Sequence, residues 1–452
     1  MANMNDKNLA VAGQRSINDD GRPAFSRCET TRAAAWFTGG DYDKERSTVP
    51  ELEQAARAGR NLTFASGEDK LNVVVVSGGS YELDHAKLEL SGWGCSDFSC
   101  RGTGVLAMDG AEVTLKNAEI TTRGATRCAT IATTGATLKV YDSKLSTYGG
   151  PLPPDYVPVI GPGMMEPPAP LGLGGNCRTH LSMDGSRTYF YNCDIYAAAW
   201  GAVSTDASGG WLYCEVNDSR VHVEGNGYVT YADNGCHVVF NRCNVSSGNV
   251  VVIQDGNSSL TFNDTTARCE GYGMLLHGGM ENLADIGLVR WNGGKLSTKN
   301  QCMLCKSTNV DIYFQGAKLH SDLGVLMEAR LTDDRMYFTR RTAGPAQYGV
   351  QATFEDMELE GDFLMGDPER PQKLNLVKTS LVGAIAGNPQ LALYEGSTWT
   401  AAADSLVTLA GPVDLAQLDA RERCKITAHA GEGCALAAGE YDLPSGGKLI
   451  VL

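Results

Sequence analysis

No stretch of this 452-residue chain stays apolar long enough to cross a bilayer, which excludes an α-helical membrane span and, with it, a membrane partner. Basic residues are scarce: 38 Lys and Arg against 53 Asp and Glu leave a net charge of −15. That balance excludes nucleic acid, which requires a basic stripe, and disfavours strongly anionic polysaccharides. The opening segment, MANMNDKNLAVAGQRSINDDGRP, lacks the apolar core of a secretory leader. Also missing are a phosphate-binding loop, a dinucleotide fingerprint, a Ser-His-Asp triad and a second cysteine pair at zinc spacing. The sequence therefore predicts neither metal nor cofactor.

What the chain does have is a recurring ten-residue phrase. AEVTLKNAEI ends at Ile120, ATLKVYDSKL at Leu145, RTYFYNCDI at Ile195 and CHVVFNRCNV at Val245. One phase of it runs through Asn117, Asp142, Asn192, Asp218, Arg242, Asp264, Gly293, Gly316, Asp356 and Lys378, with neighbours 22 to 29 residues apart where no insertion intervenes. Two residues earlier stand Leu115, Val140, Phe190, Val216, Phe240, Phe262, Trp291, Phe314, Phe354 and Leu376. Three residues later come apolar residues from Ile120 to Leu381, and one residue later small ones such as Ala118, Ser143, Cys193 and Ala317. Odd and even positions differ throughout, which is the alternation of a strand. A repeat of this length predicts a solenoid whose coils bury their apolar sides against one another.

A second short strand precedes each phrase, as in GVLAMDG, HLSMDG and VTYADNG. Its alignment places Leu106, Ile131, Leu181, Val203, Thr230, Val252 and Leu275 inward. Asp109, Asp184, Asp206, Asp233 and Asp255 close these strands, and their equivalence at a tight corner favours a turn role over a metal role. The stacked pattern resembles the right-handed parallel β-helix, pectate-lyase-like superfamily over residues 72 to 400. The resemblance implies an all-β, single solenoid of about ten to twelve coils and a leaning toward polysaccharide lyases, hydrolases, epimerases and adhesins. It brings no catalytic motif with it. The expected organisation is a cap with a short helix at 1–70, the solenoid at 71–400 and closing strands at 401–452. In the cap, VPELEQAARAG has Pro50 in the first turn of a helix.

Two insertions break the spacing. The first, at 147–178, is rich in Pro, Gly and Met yet carries Tyr148, Tyr156, Met164, Met165 and Leu171, so it is expected to pack as a lid. The second, at 331–349, combines aromatics with Arg335, Arg340 and Arg341. Of fourteen cysteines, several fall in inward columns, where thiols serve as small hydrophobes; this favours a reducing, cytoplasmic setting. Cys95 with Cys100, and Cys302 with Cys305, are the pairs to check for a bridge or redox role.

On the same alignment, the outward residues of the short strands form an apolar strip: Val105 and Ala107, Thr130 and Ala132, His180 and Ser182, Ala202 and Ser204, Val229 and Tyr231, Val251 and Ile253, Met274 and Leu276. An uncovered strip would mark an interaction site: a pocket under the first insertion, a contact in a homo-oligomer such as a trimer, or a wall the insertion covers. In the pocket reading His180 and Tyr231 are the acid/base pair. Ser182, Ser204, Tyr141, Tyr189, Tyr191, Tyr156, Met164, Met165 and Met274 then bind the substrate. The expected activity is a cofactor-independent lyase or isomerase moving a proton on a small, partly apolar molecule. The alternatives are a carbohydrate hydrolase or lyase using the carboxylates of Asp206, Asp233 and Asp255, and a non-catalytic binding or assembly module. His277 is expected at an inward corner, and His222 with Glu224 as a pair lacking a third member.

Overall fold

The structure, a computed structural model, describes residues 30–95, 98–158, 164–167, 171–206, 210–278, 285–333, 348–394 and 396–452. Arg335, Arg340 and Arg341 of the second insertion lie outside these residues. The chain divides into two compact units, 1–249 and 250–452, each built of parallel β-helix coils.

One coil of the first unit shows the plan. Strand Arg178–Met183 belongs to a first sheet, Arg187–Tyr191 to a second and Asp194–Ala197 to a third, after which Trp200–Asp206 returns to the first. Each strand pairs in parallel with its counterpart one coil on: His180 with Val203, Phe190 with Val216, Ile195 with Val221. The aligned apolar columns fill the interior; Phe190, Phe240, Ile195 and Val221 have no solvent exposure. In the second unit Phe262, Trp291, Phe314 and Phe354 occupy one such column and stack ring on ring at 4.4 to 5.8 Å. Offset stacking of this kind adds to the burial of each ring.

The repeated marker has a backbone cause. All ten marker positions, from Asn117 (φ 50°) to Lys378 (φ 48°), are left-handed at the corner between the second and third sheets. Asn, Asp and Gly tolerate that conformation best, hence their recurrence. The small residue that follows is packed against the neighbouring coil; Ser143 and Ser219 each send a hydroxyl to the backbone two residues back and accept an N–H from the preceding coil.

At the start of the chain, Pro50–Leu52 forms one turn of 3-10 helix and Glu53–Ala58 an α-helix, ended by left-handed Gly59 (φ 64°). The sheets extend beyond the expected solenoid bounds. Ala35–Thr38 already pairs in parallel with Val74–Ser77, and Lys425–Ala430 pairs with Lys448–Val451.

The first insertion leaves the third sheet after Thr147 and rejoins the first sheet at Arg178. Asn176 clasps its base, donating to the Gly150 carbonyl (2.7 Å) and accepting the Gly150 N–H (3.1 Å). Its returning limb is pinned by Asn226, through Gly174 N–H to the Asn226 carbonyl and Asn226 Nδ2 to the Gly172 carbonyl. Met164, Met165 and Leu171 are buried.

Candidate functional site

His180 points into the solenoid, not out of it. Its Nδ1 lies 2.9 Å from Thr130 Oγ1 and its Nε2 2.7 Å from Ser182 Oγ, which is 2.9 Å from Thr188 Oγ1 of the second sheet. The ring meets interior Phe190 edge-on at 5.0 Å. It has no solvent exposure, and burial pushes its pKa down to about 3. The expected registry is thus wrong by one residue on this coil, which exchanges every inward and outward side chain. Val105, Ala107, Thr130, Ala132, His180 and Ser182 share registers that face the interior, and Leu106, Ile131 and Leu181 face out. Ser204 and Tyr231 are outward as expected, because the alignment of the later coils had the other phase. His180 and Tyr231 therefore lie on opposite faces of one sheet and cannot act as a pair. Met274, in the second unit, shares its register with Met303 and also lies fully buried, not on an outer wall.

The outer strip is not open. Leu106, Ile131 and Leu181 have at most 1% exposure although they point outward. Met164, Met165 and Leu171 of the insertion are buried as well. Tyr156 contributes its hydroxyl, which accepts the Met165 N–H at 3.0 Å. Around Tyr231 the wall is clamped: Arg178 stacks on Trp200 (4.4 Å) and reaches the Tyr228 hydroxyl (3.2 Å), which is 2.7 Å from Ser204 Oγ. A Cβ at Gly201 would meet the Tyr228 ring at 2.5 Å, so glycine is needed there. These outward residues are buried within the chain itself, so they form no open apolar face here.

Tyr141, Tyr189 and Tyr191 form a cross-coil ladder on the second sheet, with Tyr141 stacked on Tyr191 at 4.9 Å and Tyr189 beside Tyr213 at 5.7 Å. The insertion springs from the third sheet, so they do not rim it. The aspartates form no exposed row either: Asp233 and Asp255 are buried. Only Asp109 and Asp184 of the five have left-handed backbones. Asp255 lies instead beside His277 (3.7 Å), in a register that continues to Lys306 and Arg330. This register faces outward, since Arg330 is over a third exposed, so His277 is a buried outer-wall residue and not an inward corner. Burial and the charge of Lys306 push its pKa down to about 3.

Cys95 is a free thiol and Cys100 is disulfide-bonded, so the two are not partners. Cys302 and Cys305 are buried and free, with pKa values raised to about 11 and about 12, mainly by burial. Neither thiol is poised for redox or metal chemistry. Among the described residues no group of His, Cys, Asp and Glu could hold a metal ion.

The best-equipped surface of the first unit is the outer face of its third sheet. Ser146, Tyr196, His222 and Ser246 share one register there, each one residue past an interior apolar side chain. Tyr196 donates its hydroxyl to Glu224. Its ring lies 5.8 Å from His222 and 5.1 Å from Tyr148, over which Arg123 sits at 4.0 Å. His222 Nδ1 is 2.7 Å from Ser246 Oγ. Burial, then the Glu224 carboxylate, raises the Tyr196 pKa, so its proton is retained. A groove of about 640 Å³ runs along the same face, lined by Glu89, Glu119, Thr121, Arg123, Lys144 and Tyr148 among others. The missing partner of His222 and Glu224 is Tyr196, one coil earlier. The position one past Ile195, Val221 and Val245 was the sequence signal for it.

No protein-family model matches the chain, and no curated protein matches it. Among solved structures it is similar to the tailspike protein gp49 from Pseudomonas phage LKA1, at 12% identity and a TM-score of 0.29. The match covers 84% of this chain and 53% of the tailspike, so the chain spans about half of that protein's length.

Proposed function

We propose that the chain is a cofactor-independent acid/base enzyme acting on a saccharide chain laid along the third-sheet face of residues 1–249. His222 is the proton acceptor and Tyr196 the donor. The observation that carries this reading is Tyr196 standing between Glu224 and His222 beside an open groove. The Glu224 carboxylate keeps the phenol protonated, and the Ser246 hydroxyl fixes the imidazole. In an elimination, His222 takes the carbon-bound proton as the carbon–oxygen bond breaks, and Tyr196 supplies the proton to the departing oxygen.

Support for a saccharide comes from periodicity. Coils stacked at about 4.8 Å repeat a hydroxyl or charged group along the groove, which suits a polymer of repeating polar units better than a single small apolar molecule. Lys144 and Arg123 alternate with Glu89 and Glu119, so the wall has no excess of one charge. The test is turnover on a panel of neutral and acidic polysaccharides, read by new reducing ends and by absorbance of unsaturated product. Tyr196→Phe and His222→Ala should each lower kcat at least a hundredfold with unchanged unfolding curves. Full turnover in both variants would refute the assignment. Glycan binding without turnover in the parent protein would favour a binding module.

A further inference from the structure

Within residues 250–452 the third sheet is interrupted. Strand Lys318–Ser321 ends one sheet, and Glu358–Glu360 begins a separate four-stranded one. The two strands lie close and are joined at both corners, through Gly316 N–H to the Glu355 carbonyl (3.0 Å) and Asp362 N–H to the Gly324 carbonyl (2.8 Å). Their ladder is nevertheless missing. On the coils around them, the N–H groups of Lys295, Lys318, Ser380 and Thr398 each reach a carbonyl one coil back. The N–H of Glu358, their counterpart, makes no such bond among the described residues. The residue before it is buried Met357, where neighbouring coils carry Thr265, Ala317 and Thr379, and the Met357 N–H turns forward to Thr379 Oγ1 (3.2 Å).

The outer surface at this break is a cleft of about 1380 Å³, above the roughly 300–1,000 Å³ of small-molecule pockets. Its lining mixes both signs of charge: Lys318, Lys378 and Arg421 with Asp356, Glu358 and Glu360. None of these six forms an ion pair or a side-chain hydrogen bond among the described residues. Elsewhere, charges on neighbouring coils do pair, as Lys116 does with Glu82, Arg242 with Asp218 and Lys299 with Glu270. Asp362, a fourth carboxylate of the lining, is satisfied by the Ala384 N–H (2.7 Å). The cleft also shows one apolar spot. Leu319 is partly exposed, whereas Leu296 and Leu381 in the same column are at most 1% exposed.

We propose that this cleft binds a neutral saccharide of several hexose units, at a site separate from the groove in residues 1–249. A charged polymer meets a set of side chains that repels it, whichever its sign. A hydroxyl both donates and accepts, so neighbouring hydroxyls of one ring answer carboxylates and cations alike. The volume suits an oligomer better than a single sugar, and Leu319 offers a contact for the C–H face of a ring. The site binds and does no chemistry. It rests on nothing in the first groove, so it survives the loss of Tyr196 and His222.

The probes are neutral hexasaccharides of the α-glucan, β-glucan, mannan and galactan types, added to the full chain during trace acetylation of its lysines. Read by mass spectrometry, at least one should slow the modification of Lys318 and Lys378, and should do so equally in Tyr196→Phe/His222→Ala. Lys144 reports separately on the groove in residues 1–249, so failure there and failure here are told apart. In calorimetry, Glu358→Ala/Glu360→Ala should weaken binding of the protecting sugar by about tenfold, the loss expected for charge-assisted hydrogen bonds. Protection of neither lysine by any of the sugars, or protection of Lys144 alone, would overturn the proposal. So would unchanged affinity in the folded double variant, or tighter binding of a uronic-acid or glucosamine oligomer of equal length. If the double variant fails to fold, the lysine pattern of the parent chain still decides.

Discussion

At the scale of single residues, burial sets how the enclosed His180 titrates. His180 is neutral inside the coils, with its pKa near 3 against an ordinary 6.5. Its depressed value means the unfolded chain binds the proton first. The stability it contributes is complete above about pH 6.5 and is lost as pH falls toward 3, at up to about 1.4 kcal/mol per pH unit. Urea unfolding between pH 7 and pH 4 should show this slope, and His180→Gln should reduce it by about that amount; an identical slope in the variant would remove His180 as the cause. The thiols follow the same logic. Nine of the twelve free cysteines are buried, while Cys95, Cys424 and Cys434 are partly exposed. Iodoacetamide should label only those three among the described cysteines of the native protein, and the other nine after denaturation. Early labelling of Cys193 or Cys305 would contradict their packing.

At the scale of elements, the corners were legible and the first-sheet registry was not. The marker column could be read because a left-handed residue between two strands restricts its own chemistry, coil after coil. Lys378 and Arg242 are the exceptions that pay a conformational penalty. Lys378→Gly should therefore stabilise by about 1 kcal/mol and Lys378→Val should destabilise by at least as much, measured by shifts in denaturant midpoint. Alternation failed as a guide in the first sheet for a definite reason. In Arg178–Met183 every residue is buried, on both faces of the strand. Leu181 and Ile131 then look like interior residues, and His180 and Ser182 like surface ones. A strand covered on both faces carries no period of two to read. The third sheet has one solvated face, and there the alternation around Tyr196 and His222 is plain.

For the molecule as a whole, Ile131, Leu181 and Met183 form an apolar outer wall that is buried, and the first insertion carries buried Met164, Met165 and Leu171. Replacing residues 152–171 with a short Gly/Ser link should uncover Ile131, Leu181 and Met183. Dye binding to apolar surface should rise and light scattering should show self-association, with the strand signal in circular dichroism retained. A variant as monodisperse and dye-silent as the parent would mean that other segments shield the wall.

Both insertions also leave the coils at corners, one between Thr147 and Arg178 and the other between Arg330 and Val350, with the flanking strands still in register. Length at these points is therefore uncoupled from the threading of the strands. The joints act as splice ports, where a foreign epitope or enzyme loop can be carried as cargo without renumbering a single rung.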